Sequence, residues 1–229
     1  MQEKNFTWLL VALLVFLLAV PLLDETELFS PRLTRALLIS WFLVVGVWSL
    51  RGFGRYFKLG IGLAIASIVL NGLAVRSGAS AFNFGAYGAL IGFLLVAIAC
   101  TLQQVISDTE ISLNRLVGAI SVYLTLGVLW AVAYTVTELA APGSFNGLTA
   151  MHSGPWDSSW LYFSFVTMTT LGYGDLLPVS AVARALAYMQ AVLGQLYIAI
   201  LVAGLVSAYI TSQQSKTVDP ASAASKESK

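Results

Sequence analysis

Charge is scarce in this 229-residue chain. Asp, Glu, Lys and Arg together make up 10% of it and nearly cancel, leaving a formal net charge of +1. That balance excludes the basic face that nucleic acid demands of a partner. Cys100 is the only cysteine, so no disulfide can close within one chain and no zinc site is suggested. His152 is the only histidine, which excludes a histidine-based metal cluster in one chain. No cofactor is expected. What is abundant is apolar: 58% of residues are hydrophobic and the mean hydropathy is +0.83. A soluble domain cannot hide that much apolar surface, so the chain reads as an integral membrane protein of all-α class.

Apolar runs long enough to cross a bilayer, at ~20 residues per crossing, cover Phe6–Leu23, Leu33–Leu50, Phe57–Val75, Phe82–Ile106, Leu116–Leu139 and Val182–Ile210. Six spanning helices are therefore expected. A shorter run, Ser158–Thr169, suits a re-entrant half-helix, which the bilayer tolerates only when it is buried in protein or lines water. Lys4 before the first run suggests a signal peptide, but Ala19-Val20-Pro21-Leu22-Leu23 is a poor cleavage site. The division expected is a four-helix unit over 1–106, a linker over 107–115, a second membrane unit over 116–211 and a disordered tail over 212–229. The tail is rich in Ser, Ala, Gln and Lys, and is too short for a fused ligand-binding domain.

Basic residues set the orientation. With the N-terminus inside, Lys4, Arg51, Arg55, Lys58, Arg115, Lys216, Lys226 and Lys229 lie on the cytoplasmic side. Only Arg32, Arg35, Arg76 and Arg184 lie outside, in keeping with the positive-inside rule. Both termini are then cytoplasmic.

The chemistry concentrates in Thr169-Thr170-Leu171-Gly172-Tyr173-Gly174-Asp175, between the half-helix and the last span. An ion entering a narrow pore must shed water, and backbone carbonyls can replace that water without a fixed charge that would trap it. Gly172 and Gly174 allow backbone conformations that residues with a Cβ avoid. The motif resembles the selectivity filter of potassium channels, and Arg115–Ile210 resembles their pore domain: outer helix, pore helix, filter, inner helix. The pattern is similar to bacterial six-span channels with one pore loop. The resemblance implies a homotetramer in a cell membrane, here the bacterial inner membrane, with K+ as the permeant ion. One loop per chain supplies a quarter of each carbonyl ring, which agrees. Carbonyls of Thr170, Leu171, Gly172 and Tyr173, with the Thr170 hydroxyl, would hold the ion, and Gly174 completes the filter. Thr167 and Thr169 precede it at the end of the pore helix, whose C-terminal partial charge favours a cation.

Departures from the family pattern are visible. Leu171 stands where valine is usual. Tyr162 and Phe163 stand where many relatives carry paired tryptophans. Phe163 cannot donate a hydrogen bond to Tyr173, whereas Tyr162 has a hydroxyl with which to reach Asp175. Val166 replaces a buried glutamate of some bacterial relatives. Gly194 matches the family's hinge glycine, and Gly204 is a second candidate; close helix packing explains either equally well. Ile198, Val202 and Val206 recur at helical spacing and would line an apolar inner pore, although core packing gives the same pattern. The fourth span holds no Arg or Lys, so no charged voltage sensor is encoded. Gly60, Gly62, Ala64, Ala66, Gly85, Gly88 and Gly92 read as helix-packing faces. Ser107-Asp108-Thr109-Glu110 reads as a capping box opening the fifth span.

Two alternatives stand beside the potassium-channel reading. One is a non-conducting or weakly selective subunit. The other is an intramembrane aspartyl protease, since Gly172-Tyr173-Gly174-Asp175 satisfies a GxGD pattern. Two carboxylates must share a proton in such an enzyme, and Asp24, Asp108, Asp157 and Asp219 all fall outside the spans. An enzyme is therefore not expected.

Overall fold

The computed structural model describes residues 5–25, 39–40, 42–47, 50, 54–107, 113–147 and 158–224, and the side chains of all of these except 5, 24–25, 107, 113, 205–206 and 208–224. Helix α1 is Asn5–Glu25, α2 Arg55–Ser77, α3 Ser80–Ser107, α4 Leu113–Ala140, α5 Ser158–Met168 and α6 Ala181–Ala224. Two-residue strands β1, Phe145–Asn146, and β2, Leu177–Pro178, pair antiparallel, Phe145 opposite Pro178. This small sheet is an addition to the all-α expectation.

Among the described residues, five helices are long and apolar enough to cross a membrane. They correspond to the expected first, third, fourth, fifth and last spans. The second, Leu33–Leu50, falls partly outside the described residues; 39–40 and 42–47 are helical. Exposed side chains such as Leu18, Leu22, Ile65, Ile106 and Ile200 suit contact with lipid. Lipid tails are as apolar as leucine, so helix association rests on close packing and internal hydrogen bonds.

Helices α2 and α3 form a tight hairpin. Gly78, at φ 68°, ends α2 and returns its amide to the Ala74 carbonyl, a left-handed cap. The Ser67 hydroxyl donates to the Ala86 carbonyl across the pair at 3.1 Å. A methyl group on Gly85 would lie 3.2 Å from Leu70, and one on Gly92 3.4 Å from Leu63. Gly60 sits under Leu50, whereas Gly62 and Gly88 face open space. Part of the small-residue pattern is thus packing and part is not. Helix α3 packs on α4, α4 also holds α1, and α5 lies between α4 and α6. Ser107 closes α3; Asp108, Thr109 and Glu110 of the expected capping box lie outside the described residues.

Helix α6 continues past Ser212 to Ala224, over residues whose composition led to the expectation of a disordered tail. Low apolar content means that no core partner is available. It does not stop an existing helix from propagating, since the costly step, nucleation, is already complete. At 1.5 Å per residue α6 is about 66 Å long, roughly twice a hydrocarbon core of about 30 Å.

Candidate selectivity filter

Helix α5 has 11 residues, about 16 Å of rise, too short to cross a bilayer. It is wedged in protein instead: Ser159, Trp160, Leu161, Phe163, Ser164 and Met168 are buried. Trp160 meets Phe145 edge-on at 4.9 Å. Phe163 meets Tyr134 at 4.9 Å and Phe145 at 5.5 Å, both T-shaped. The two aromatics therefore anchor α5 to α4 and β1.

The carbonyls that end α5 are taken up by the segment that follows it. Thr169 bonds the Phe165 carbonyl through its amide at 3.0 Å and its hydroxyl at 2.6 Å. The Thr170 amide donates to the Thr167 carbonyl at 3.1 Å. Leu171 and Gly172 both donate to the Val166 carbonyl, at 3.0 and 3.3 Å. Gln195 Nε2 reaches the Met168 carbonyl from α6 at 3.5 Å. Orphan acceptors at a helix C-terminus are thereby satisfied.

Beyond Met168 the backbone alternates. Thr170, Gly172 and Gly174 have φ of 60°, 57° and 80°, while Leu171 and Tyr173 do not enter the positive region. Glycine takes that conformation freely; threonine does not, at a cost of about 1–3 kcal/mol. Alternating hands point successive peptide groups to one side instead of alternate sides. Leu171 and Tyr173 are 55% and 67% exposed on the single chain.

The Tyr162 hydroxyl donates to Asp175 Oδ2 at 2.6 Å, and the Tyr162 and Tyr173 rings stack at 6.3 Å with 5° between planes. The Leu176 amide donates to Asp175 Oδ1 at 3.0 Å. The Tyr162 bond is the main cause holding the Asp175 carboxyl below its ordinary value.

A loop that sequence left without a role packs against the segment that follows α5. Glu138 accepts the amides of Gly143 at 2.7 Å and Phe145 at 3.2 Å. Val179 and Ser180 donate to the Ser144 carbonyl at 2.8 and 3.2 Å. Gly147, at φ 100°, lies so close that a Cβ there would stand 2.0 Å from the Asp175 carbonyl oxygen. His152, in the same loop, lies outside the described residues.

Sequence also passed over a buried polar cluster between α4, α5 and α6. The Tyr134 hydroxyl donates to Gln190 Oε1. Gln190 Nε2 donates to the Ser164 carbonyl at 2.9 Å and the Ser164 hydroxyl at 2.7 Å, and that hydroxyl donates to the Gly127 carbonyl at 2.6 Å. A glutamine inside an apolar span was the available signal, since polar groups there are costly unless partnered.

On α6, Gly194 faces Met168, where any Cβ would collide. Close packing is enough to require glycine there. Nothing lies within 4 Å of a Cβ on Gly204. Ile198 and Val202 are exposed on the single chain. Val206 is helical, with its side chain outside what the structure describes.

Residues 125–211 match the family model described as "Ion channel". The chain is 37% identical to two-pore potassium channel 1 of Arabidopsis thaliana over 81 residues, covering 35% of this chain and 19% of that one. It is 43% identical to two-pore potassium channel 3 of the same plant over 61 residues, 27% of this chain and 14% of that one. Against the inward rectifier potassium channel Kirbac3.1 of Paramagnetospirillum magnetotacticum it is 35% identical over 82 residues, 34% and 24% of the two chains. The aligned part thus spans less than a quarter of each of these relatives. No solved structure matches. By family model and by relatives alike, residues 125–211 resemble ion-channel sequence, and the relatives named here are potassium channels.

Proposed function

We propose that four copies of this chain surround a pore that conducts K+ selectively and passively. The observation that carries this reading is the left-handed alternation at Thr170, Gly172 and Gly174 directly after a buried half-helix. In a fourfold assembly that backbone would turn the carbonyls of Thr170, Leu171, Gly172 and Tyr173 toward one axis, as rings that replace the hydration shell. The large exposed apolar side chains of Leu171 and Tyr173 favour further copies, because such patches on a single chain mark contact surfaces.

In this reading, residues 116–211 form the pore unit and 1–106 a helical unit without sensor charges, with Ile198, Val202 and Val206 toward the inner pore. Both termini face the cytoplasm. Similarity to ion channels favours a channel over the protease alternative. The test is flux in liposomes holding the purified protein. K+ flux well above Na+ flux is expected, with loss of selectivity in Gly172→Ala. Equal permeability, or no flux from an intact oligomer, would overturn the proposal and favour the weakly selective or non-conducting alternative.

A further inference from the structure

We propose that Gln190 is a positioning residue for the filter, setting the axial position and rotation of the pore helix from behind; the inference rests on the potassium-channel reading. Tyr134, Ser164 and Gln190 are fully buried. Polar groups at such a depth have no water to turn to and must satisfy one another. Here every side-chain donor is used in one direction, from Tyr134 to Gln190, from Gln190 to Ser164, and from Ser164 to Gly127. The order fixes the glutamine amide. Its nitrogen must face Ser164, because the Ser164 carbonyl can only accept, and its oxygen is then left to take the Tyr134 proton.

A single hydrogen bond would leave the pore helix free to swivel. Gln190 instead grips the backbone and the side chain of one residue, 2.9 Å and 2.7 Å away. One helical turn further along both helices, Gly194 admits Met168 against the α6 backbone. The pairs Gln190–Ser164 and Gly194–Met168 set one register between α6 and α5. Through Tyr134 the same grip reaches α4, and through the edge-on Tyr134–Phe145 contact at 5.5 Å it reaches β1. Val166 provides no acidic brace directly behind the filter. The polar hold lies at Ser164, before the last turn of α5. Movement there is carried into the filter by the bonds from Leu171 and Gly172 to the Val166 carbonyl.

The experiment compares wild type, Gln190→Leu and the double variant Tyr134→Phe/Gln190→Leu in planar bilayers and in melting of the detergent-solubilised oligomer. Gln190→Leu strands the Tyr134 hydroxyl; the double variant removes that hydroxyl as well. The expected result is a K+/Na+ permeability ratio lowered at least tenfold, or current that decays with time, in both variants, while the double variant recovers most of the melting temperature. Selectivity and time course at wild-type level in Gln190→Leu, or recovering in step with melting temperature, would overturn the inference. Should Gln190→Leu fail to assemble, Ser164→Ala, which deletes only the hydroxyl, gives the same readout: unchanged selectivity overturns the inference, and a lowered ratio in an intact oligomer supports it. A wild type without K+ selectivity would overturn the channel reading and this inference together.

Discussion

Gly194 and Met168 are in such close contact that a methyl group on the glycine would lie 2.6 Å from Met168 Cγ and 2.8 Å from its carbonyl oxygen. A hinge glycine and a packing glycine make different predictions. Gly194→Ala must push Met168, and with it the base of the filter, at an overpacking cost of about 1–3 kcal/mol, offset in part by ~1 kcal/mol of better helix propensity. The expected outcome is a lower melting temperature and reduced K+/Na+ discrimination. Gly204→Ala, with nothing within 4 Å of the new Cβ, should leave discrimination unchanged. A Gly194→Ala channel altered only in opening, with native selectivity and melting, would return the residue to the hinge role.

The Tyr162–Asp175 bond leads to a pH prediction. Asp175 has its carboxyl lowered from the ordinary 3.8, chiefly by the Tyr162 hydroxyl. A depressed carboxylate contributes stability above its unfolded value and loses it as pH falls through the folded one. Mild acid outside should therefore leave the mouth intact, with conduction declining only below the ordinary carboxylate range. Tyr162→Phe removes the main lowering cause, so the acid-induced decline should begin at higher pH. Flux titrated against external pH checks it; coincident curves for the two proteins would reject it.

Hydropathy made the spanning helices legible, because a bilayer demands long uncharged runs. The half-helix was legible within a residue at its C-terminal end, from the short apolar run between the two last spans. The Tyr162 hydroxyl and Asp175 were also readable as a pair, because Tyr162 takes the place of an aromatic that braces the motif in the family it resembles and Asp175 ends that motif. Gln190, Tyr134 and Ser164 were not, because each is an ordinary polar residue until the packing of three helices brings them together. The contact of Gly147 with Asp175 was hidden for the same reason. The extension of α6 to Ala224 was not legible, because composition reports on burial and a helix growing from a formed one needs none.

Gly147 and Gly143 offer a matched pair of substitutions. Both have positive φ, 100° and 85°, but only Gly147 also meets a backbone atom, the Asp175 carbonyl oxygen. Alanine at Gly143 should cost only the conformational strain, about 1–3 kcal/mol. Alanine at Gly147 adds a collision that cannot be relieved by a side-chain rotation, so the loop must leave the filter mouth. Gly147→Ala is expected to lower the melting temperature further than Gly143→Ala and to be the one that changes conduction. Equal effects of both on melting and flux would show that the contact with Asp175 is unimportant.

The last prediction concerns voltage. Helix α3 carries no charged side chain from Ser80 to Ser107. In α2 the basic residues are confined to the ends, Arg55 and Lys58 in the first turn and Arg76 in the last. One elementary charge crossing the whole field yields about 2.3 kcal/mol per 100 mV, so a steep switch needs several such charges buried in moving helices. None is available along α3, and charges at the ends of α2 stand near the interfaces, where little of the field falls. Voltage steps across a planar bilayer should therefore change the current in proportion to driving force, with at most a shallow dependence of open probability. Sigmoidal activation with several gating charges per subunit would require a source of charge in the first four spans that α2 and α3 do not contain.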